Sequence, residues 1–184
     1  MQFCVSAILF VTGAVLVRSA SLPEEAQSPI DIDNFKERTC PKLVYKKCNN
    51  NALAKLENTG HTVRITIKGT QPLLTGGPLK SDYTFHEVHF HWGKSNREGS
   101  EHTKRGSQYP MEAHVVHYKT KYDSFSKASE KKDGLAIIGI FFDISTSNNS
   151  QRSDKDADNE QLKPLVALLR DVAKAQERVE NSAS

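Results

Sequence analysis

The sequence predicts a predominantly β domain with one late helix, and three patterns carry that prediction. Residues 61–68 alternate polar and apolar side chains, the two-residue period of a half-buried strand, and 83–92 and 111–119 read as two further strands. Gly134 to Ile144 (GLAIIGIFFDI) is apolar on both faces, as expected of a central strand covered on each side. Helical spacing comes last: Leu162, Leu165, Val166, Leu169, Val172 and Ala173 recur along one face, with Pro164 tolerated in the first turn.

The remaining elements follow in chain order. Phe3 to Val17 form an almost unbroken apolar run at the N-terminus, short for a membrane span and followed by the small residues Ser19, Ala20 and Ser21. We read residues 1–19 as a secretory signal peptide, with an uncleaved anchor as the competing reading. The mature protein is then secreted, with no stable membrane span once the leader is cut. Cleavage removes Cys4 and leaves Cys40 and Cys48, an even pair expected to close a short disulfide loop; two free thiols are the alternative. Leu43 to Tyr45 reads as a short strand, KCNNNA as a turn, and Thr75-Gly-Gly-Pro78 as a chain break. Residues 145–160 are polar and patternless, a surface loop whose sequon marks Asn148 for glycosylation. There are no internal repeats.

Composition narrows the classes. At 184 residues the natural prior is one domain, and 37% hydrophobic with 26% charged residues excludes both wholesale disorder and a polytopic membrane protein. A net charge of +3 with no Lys/Arg run gives no basis for a nucleic-acid partner. The histidines say more, because all 7 lie between His61 and His117.

In Glu87-Val-His89-Phe-His91-Trp92, alternate strand residues share a face, so Glu87, His89 and His91 point the same way. Glu112, His114 and Val116 repeat the arrangement on the third strand. If these two strands are neighbours, His89, His91 and His114 make a three-nitrogen site. Three protein ligands leave a position for water, the pattern of catalytic zinc, although imidazoles also hold copper or cobalt. Glu112 is placed to accept the second N–H of a ligand imidazole and fix its orientation. The competing reading is that the histidines merely alternate.

QSPIDI (Gln27–Ile32), HFHWG (His89–Gly93), GSEHT (Gly99–Thr103), MEAHVVHY (Met111–Tyr118) and GLAIIGIFF (Gly134–Phe142) closely resemble the α-carbonic anhydrases, in the family's order and spacing. The resemblance covers residues 27–184. It implies a mainly β fold, with a central, twisted, largely antiparallel sheet and peripheral helices. It also implies zinc held by His89, His91 and His114, and reversible hydration of CO2 to bicarbonate and a proton. His61 would be the proton shuttle, an imidazole being the side chain suited to relaying a proton to buffer. Glu101 would be a buried carboxylate that orients the family's catalytic threonine. Val116 and Ile137 would form the apolar wall that holds CO2, and Glu112 the acceptor for the third ligand. His102 and His117 match structural positions, and His86 is incidental.

The sequence also departs from the family pattern. Glu87 stands where a glutamine is common, and Arg64 where a small polar residue is usual. The family's N-terminal Trp/Tyr segment, its partner cysteine, its threonine loop and its later strands have no counterpart. Residues 27–184 are therefore expected to form a partial domain lacking the C-terminal strands, with impaired hydration. The alternative is a catalytically weak or inactive relative acting as a secreted binding or matrix protein.

Overall fold

The computed structural model describes residues 28–33, 39, 41–48, 51–143, 162–163 and 165–169, together with the strand Ala14–Val15. Its strands are β1 (Ala14–Val15), β2 (Val44–Lys46), β3 (Leu53–Asn58), β4 (Val63–Lys68), β5 (Leu73–Thr75), β6 (Tyr83–Trp92), β7 (Met111–Lys119) and β8 (Leu135–Phe142). They form one 8-stranded sheet in the order β1-β8-β7-β6-β4-β3, with β5 also on β6 and β2 on β5. Every pairing between these strands is antiparallel. The predicted class, mainly β and largely antiparallel, therefore holds.

β6 and β7 have the predicted bounds, and β8 lies inside its predicted run. β4 begins at Val63 rather than His61, because Thr59 to Thr62 turn the hairpin: Thr59 N–H donates to Thr62 O at 2.9 Å, and Gly60 takes a φ of 84°. β3, β5 and the short helix α1 (Phe125–Ser129) escaped the sequence reading. β3 carries Ala, Lys, Glu and Asn, poor strand formers, and exists through six-residue pairing along β4. α1 is announced only by its cap, Ser124, whose hydroxyl accepts Lys127 N–H.

One face of the sheet carries the core. Phe90, Ala113 and Phe142 are buried there, with Val63, Ile65 and Val88 around them. Leu162 and Leu165 pack onto this cluster, and 165–169 are helical, as their spacing predicts. Leu74, Tyr83, Ala136 and Ile138 form a second cluster.

A bulge in β6 decides what lies on the opposite face. The register with β7 shifts between Phe85 and Glu87. Before the bulge, odd-numbered Tyr83 and Phe85 are buried; after it, even-numbered Val88 and Phe90 pack on the core side. A one-residue slip moves every later side chain to the other face. The bulge thus lets Tyr83 and Phe85 pack inward while Glu87, His89 and His91 stay off the core.

His117 sits on the core side, fully buried, as its position on β7 away from the predicted ligands requires. Its Nδ1–H donates to Ala136 O at 3.1 Å, so Nε2 accepts from Tyr45 Oη at 2.8 Å. Burial pushes its pKa down from 6.5 to about 4. Between those values the unfolded chain binds a proton that the folded chain refuses, so stability falls as pH falls through that window. Urea unfolding should show the native state losing about 2 kcal/mol at pH 5 relative to pH 8 from this residue. His117→Gln should remove that part of the slope, and an unchanged slope would contradict the assignment.

Ala14–Val15 falls within the predicted leader and pairs with Ile138 and Ile137 of β8. Cys48 is exposed with its thiol free, while Cys40, Asn148, the polar stretch 145–160 and the rest of the leader lie outside the described residues. Among the described residues, no helix is long and apolar enough to cross a membrane.

Candidate metal centre

β6 and β7 are neighbours, and their register sets His89 directly opposite His114 and His91 opposite Glu112. One side-chain nitrogen from each of His89, His91 and His114 lies within 4.8 Å of the others. Their ring centroids are 5.1, 5.3 and 4.7 Å apart. The histidines brought together are the three that strand alternation predicts.

Hydrogen bonding settles which nitrogens are free. Glu112 is an acceptor when ionised, so His114 donates Nε2–H to its Oε1 at 2.7 Å, leaving the Nδ1 lone pair available. Glu87 Oε1 likewise takes His89 Nδ1–H at 3.0 Å, leaving Nε2. His91 Nε2 is buried without a hydrogen-bond partner. An orphaned buried nitrogen is costly unless something binds it. Burial also holds the His91 pKa below its ordinary value, which favours the neutral form that a metal requires. Three lone-pair nitrogens at one place fit a zinc ion.

Glu112, 1% exposed, is the hub beneath this trio. His102 Nδ1–H donates to Oε1 at 2.7 Å and His102 N–H to Oε2 at 2.9 Å. Burial alone would raise the Glu112 pKa, but these bonds and the one from His114 outweigh it and hold it at about 2. Ser28 Oγ then donates to His102 Nε2 at 2.6 Å. Ile32 N–H to Thr103 O at 2.7 Å, and Thr103 Oγ1 to Asp31 Oδ1 at 2.7 Å, tie the segment around Ser28 to the loop that carries His102. Two sequence motifs thereby meet on one carboxylate.

The neighbouring strand leaves room for it. Gly139 of β8 pairs with His114, and a Cβ there would sit 2.8 Å from Glu112 Oε1. A lone glycine in an apolar strand is a recognised sign of close approach, and it was the available clue to this position. Ser28 had no such signal beyond its motif.

Other predicted residues fall as follows. Val116 and Ile137 are direct partners on β7 and β8, two residues along from His114 and Gly139 on the same face, with Val116 buried. His61 is exposed at the β3–β4 turn, and its side chain bonds to none of the trio. His86 stacks on Phe125 at 4.1 Å and is not one of the converging imidazoles, though its Nε2 lies 3.8 Å from Glu87 Oε2. Glu101 corrects the expectation of a buried carboxylate, since its side chain is 41% exposed. Ser100 and His102 on either side of it are buried, and Ser100 Oγ–H donates to His102 O, so the intervening side chain stands outward. Its oxygens lie 3.5 Å from His91 Nδ1 and 3.7 Å from His114 Nδ1.

The sequence profile of the eukaryotic-type carbonic anhydrases matches residues 18–183. Similar curated proteins include carbonic anhydrase 7 of Homo sapiens, 36% identical over 138 residues, and carbonic anhydrase 1 of Mus musculus, 41% identical over 138 residues. Each comparison takes in 72% of this chain but 52% and 53% of the relatives, so the chain spans about half the length of the curated proteins it matches.

Proposed function

Because the chain belongs to the eukaryotic-type carbonic anhydrase family, we propose that it binds zinc through His89, His91 and His114 and reversibly hydrates CO2 to bicarbonate and a proton. The observation that carries this reading is the convergence of three imidazoles whose second nitrogens are hydrogen-bonded or, in His91, whose buried Nε2 has no partner. Zinc held by three protein ligands supplies a Lewis acid that brings the pKa of a coordinated water to about 7, carbonic anhydrase itself being the standard example. The protein's own residues do the rest. Glu87 and Glu112 fix the tautomers and aim His89 and His114. Val116 and Ile137 offer an apolar surface beside His114 on which CO2 can rest. His61, exposed at the hairpin turn, passes the product proton to buffer. The apolar leader and the Asn148 sequon support secretion.

A second reading is favoured by Glu101. Its carboxylate faces imidazoles, and no described residue gives it the hydroxyl contact expected for fast turnover. On this reading the chain is a slow or inactive zinc-binding relative, acting as a secreted binding or matrix protein.

Zinc content and stopped-flow CO2 hydration, measured on the same monodisperse sample, separate the two. Zinc-dependent hydration well above buffer supports the first, with His61→Ala lowering the rate in weak buffer and concentrated imidazole restoring it. One zinc per chain without hydration supports the second. A chain that takes up no zinc overturns both.

A further inference from the structure

Glu57, Arg64 and His89 stand in one row across three adjacent strands, as direct partners Glu57↔Arg64 and Arg64↔His89. Arg64 Nη2–H donates to Glu57 Oε2 at 3.2 Å, and Nη1 lies 3.8 Å from Glu87 Oε2. The other oxygen of Glu87 takes His89 Nδ1–H at 3.0 Å. Lys55 Nζ closes the far end, 3.0 Å from Glu57 Oε1. Charge therefore alternates along the sheet, Lys55, Glu57, Arg64, Glu87, and ends on a zinc-ligand candidate. Lys55 first, and then Arg64, hold the Glu57 carboxyl below its usual range, so the anion gripping Arg64 is secure.

Glu87 has one oxygen on the imidazole and one left over, and its side chain is 18% exposed. A carboxylate so placed can swing to water and abandon His89 unless its second oxygen is held. His86 Nε2 is also 3.8 Å from that oxygen, but its charge depends on pH, whereas a guanidinium is always charged. Glu87 and Arg64, separate oddities in the sequence, form one pair in the structure.

We propose that Arg64 is a positioning residue for the metal centre: held by Glu57, it keeps the outer oxygen of Glu87 engaged so that the inner one stays on His89. The proposal rests on the reading of His89 as a zinc ligand. A supporting acceptor of this kind matters because it fixes the tautomer and ring orientation of the ligand. It also implies that Arg64 matters only while residue 87 is a carboxylate. A glutamine there keeps an acceptor oxygen for Nδ1–H but carries no charge for Arg64 to hold.

The test is a double-mutant cycle in zinc affinity, measured by chelator competition on the full chain. Arg64→Ala should weaken zinc about 10-fold with Glu87 present, the lower end of what a lost supporting residue costs. On the Glu87→Gln background it should change affinity less than about 2-fold. Glu57→Gln should give a smaller loss in the same direction. Thermal melts of the zinc-free forms check folding; if Arg64→Ala melts early, Arg64→Met keeps the packed stem and reads the same coupling. Equal losses on both backgrounds, or unchanged or tighter binding by Arg64→Ala, overturn the proposal while leaving the zinc site standing. No zinc uptake by the unmodified chain overturns both.

Discussion

Replacing His114 with alanine should strip the protein of zinc, whereas His86→Ala should leave zinc content unchanged. His114 sits between two systems, with Nε2–H on Glu112 and Nδ1 facing the cluster. Losing a residue that merely supports a ligand costs about 10–100-fold in metal affinity, so losing a ligand should cost more than about 100-fold. His89→Ala and His91→Ala should behave alike, because each removes one of three nitrogens. His86 stacks on Phe125 and is not among the ligating groups. Elemental analysis after dialysis, with a competition titration, reads the result. His114→Gln keeps volume and a donor for Glu112, so loss of zinc from a variant that melts normally is not a folding artefact. Full zinc occupancy in folded His114→Gln or His114→Ala would refute the ligand assignment.

The second large effect should come from Glu112, which lies behind His114 rather than among the three imidazoles proposed to hold zinc. It is 1% exposed and takes one hydrogen bond from His114 and two from His102. Glu112→Ala leaves those donors without an acceptor, removes the centre of a buried network and opens a cavity. Breaking such a buried pair costs about 3–5 kcal/mol. Zinc affinity should also fall about 10–100-fold, because His114 loses its orientation. Glu112→Gln keeps the volume but places an amide donor among N–H groups, so it should be intermediate in stability and still weak for zinc. Urea unfolding and chelator competition give the two numbers. Wild-type values in both for Glu112→Ala would show the network to be incidental.

The centre was legible to the extent that it rests on local periodicity. HxH on β6 and ExH on β7 are period-two patterns within long, strongly strand-forming runs, and both strands formed with the expected bounds. What depended on pairing was hidden. β3 has weak strand formers and an exposed edge, so nothing along the chain put Glu57 beside Arg64. The bulge after Phe85 carries no glycine or proline, and it is the pairing register with β7 that reveals it. Glu101 was misplaced for another reason. Its burial was inferred from family resemblance, whereas the buried neighbours Ser100 and His102 turn it outward here.

Gly139 has a consequence for how this protein can change. A glycine codon reaches, by any single missense base change, only residues that carry a Cβ. Each would meet Glu112 Oε1 at 2.8 Å, on a carboxylate that three hydrogen bonds keep from stepping aside. The usual route of gradual drift through alanine is thus closed at this position. A lineage that altered residue 139 would first have to relax the histidine–glutamate hub, so the strand opposite the site can vary only after the site itself has loosened.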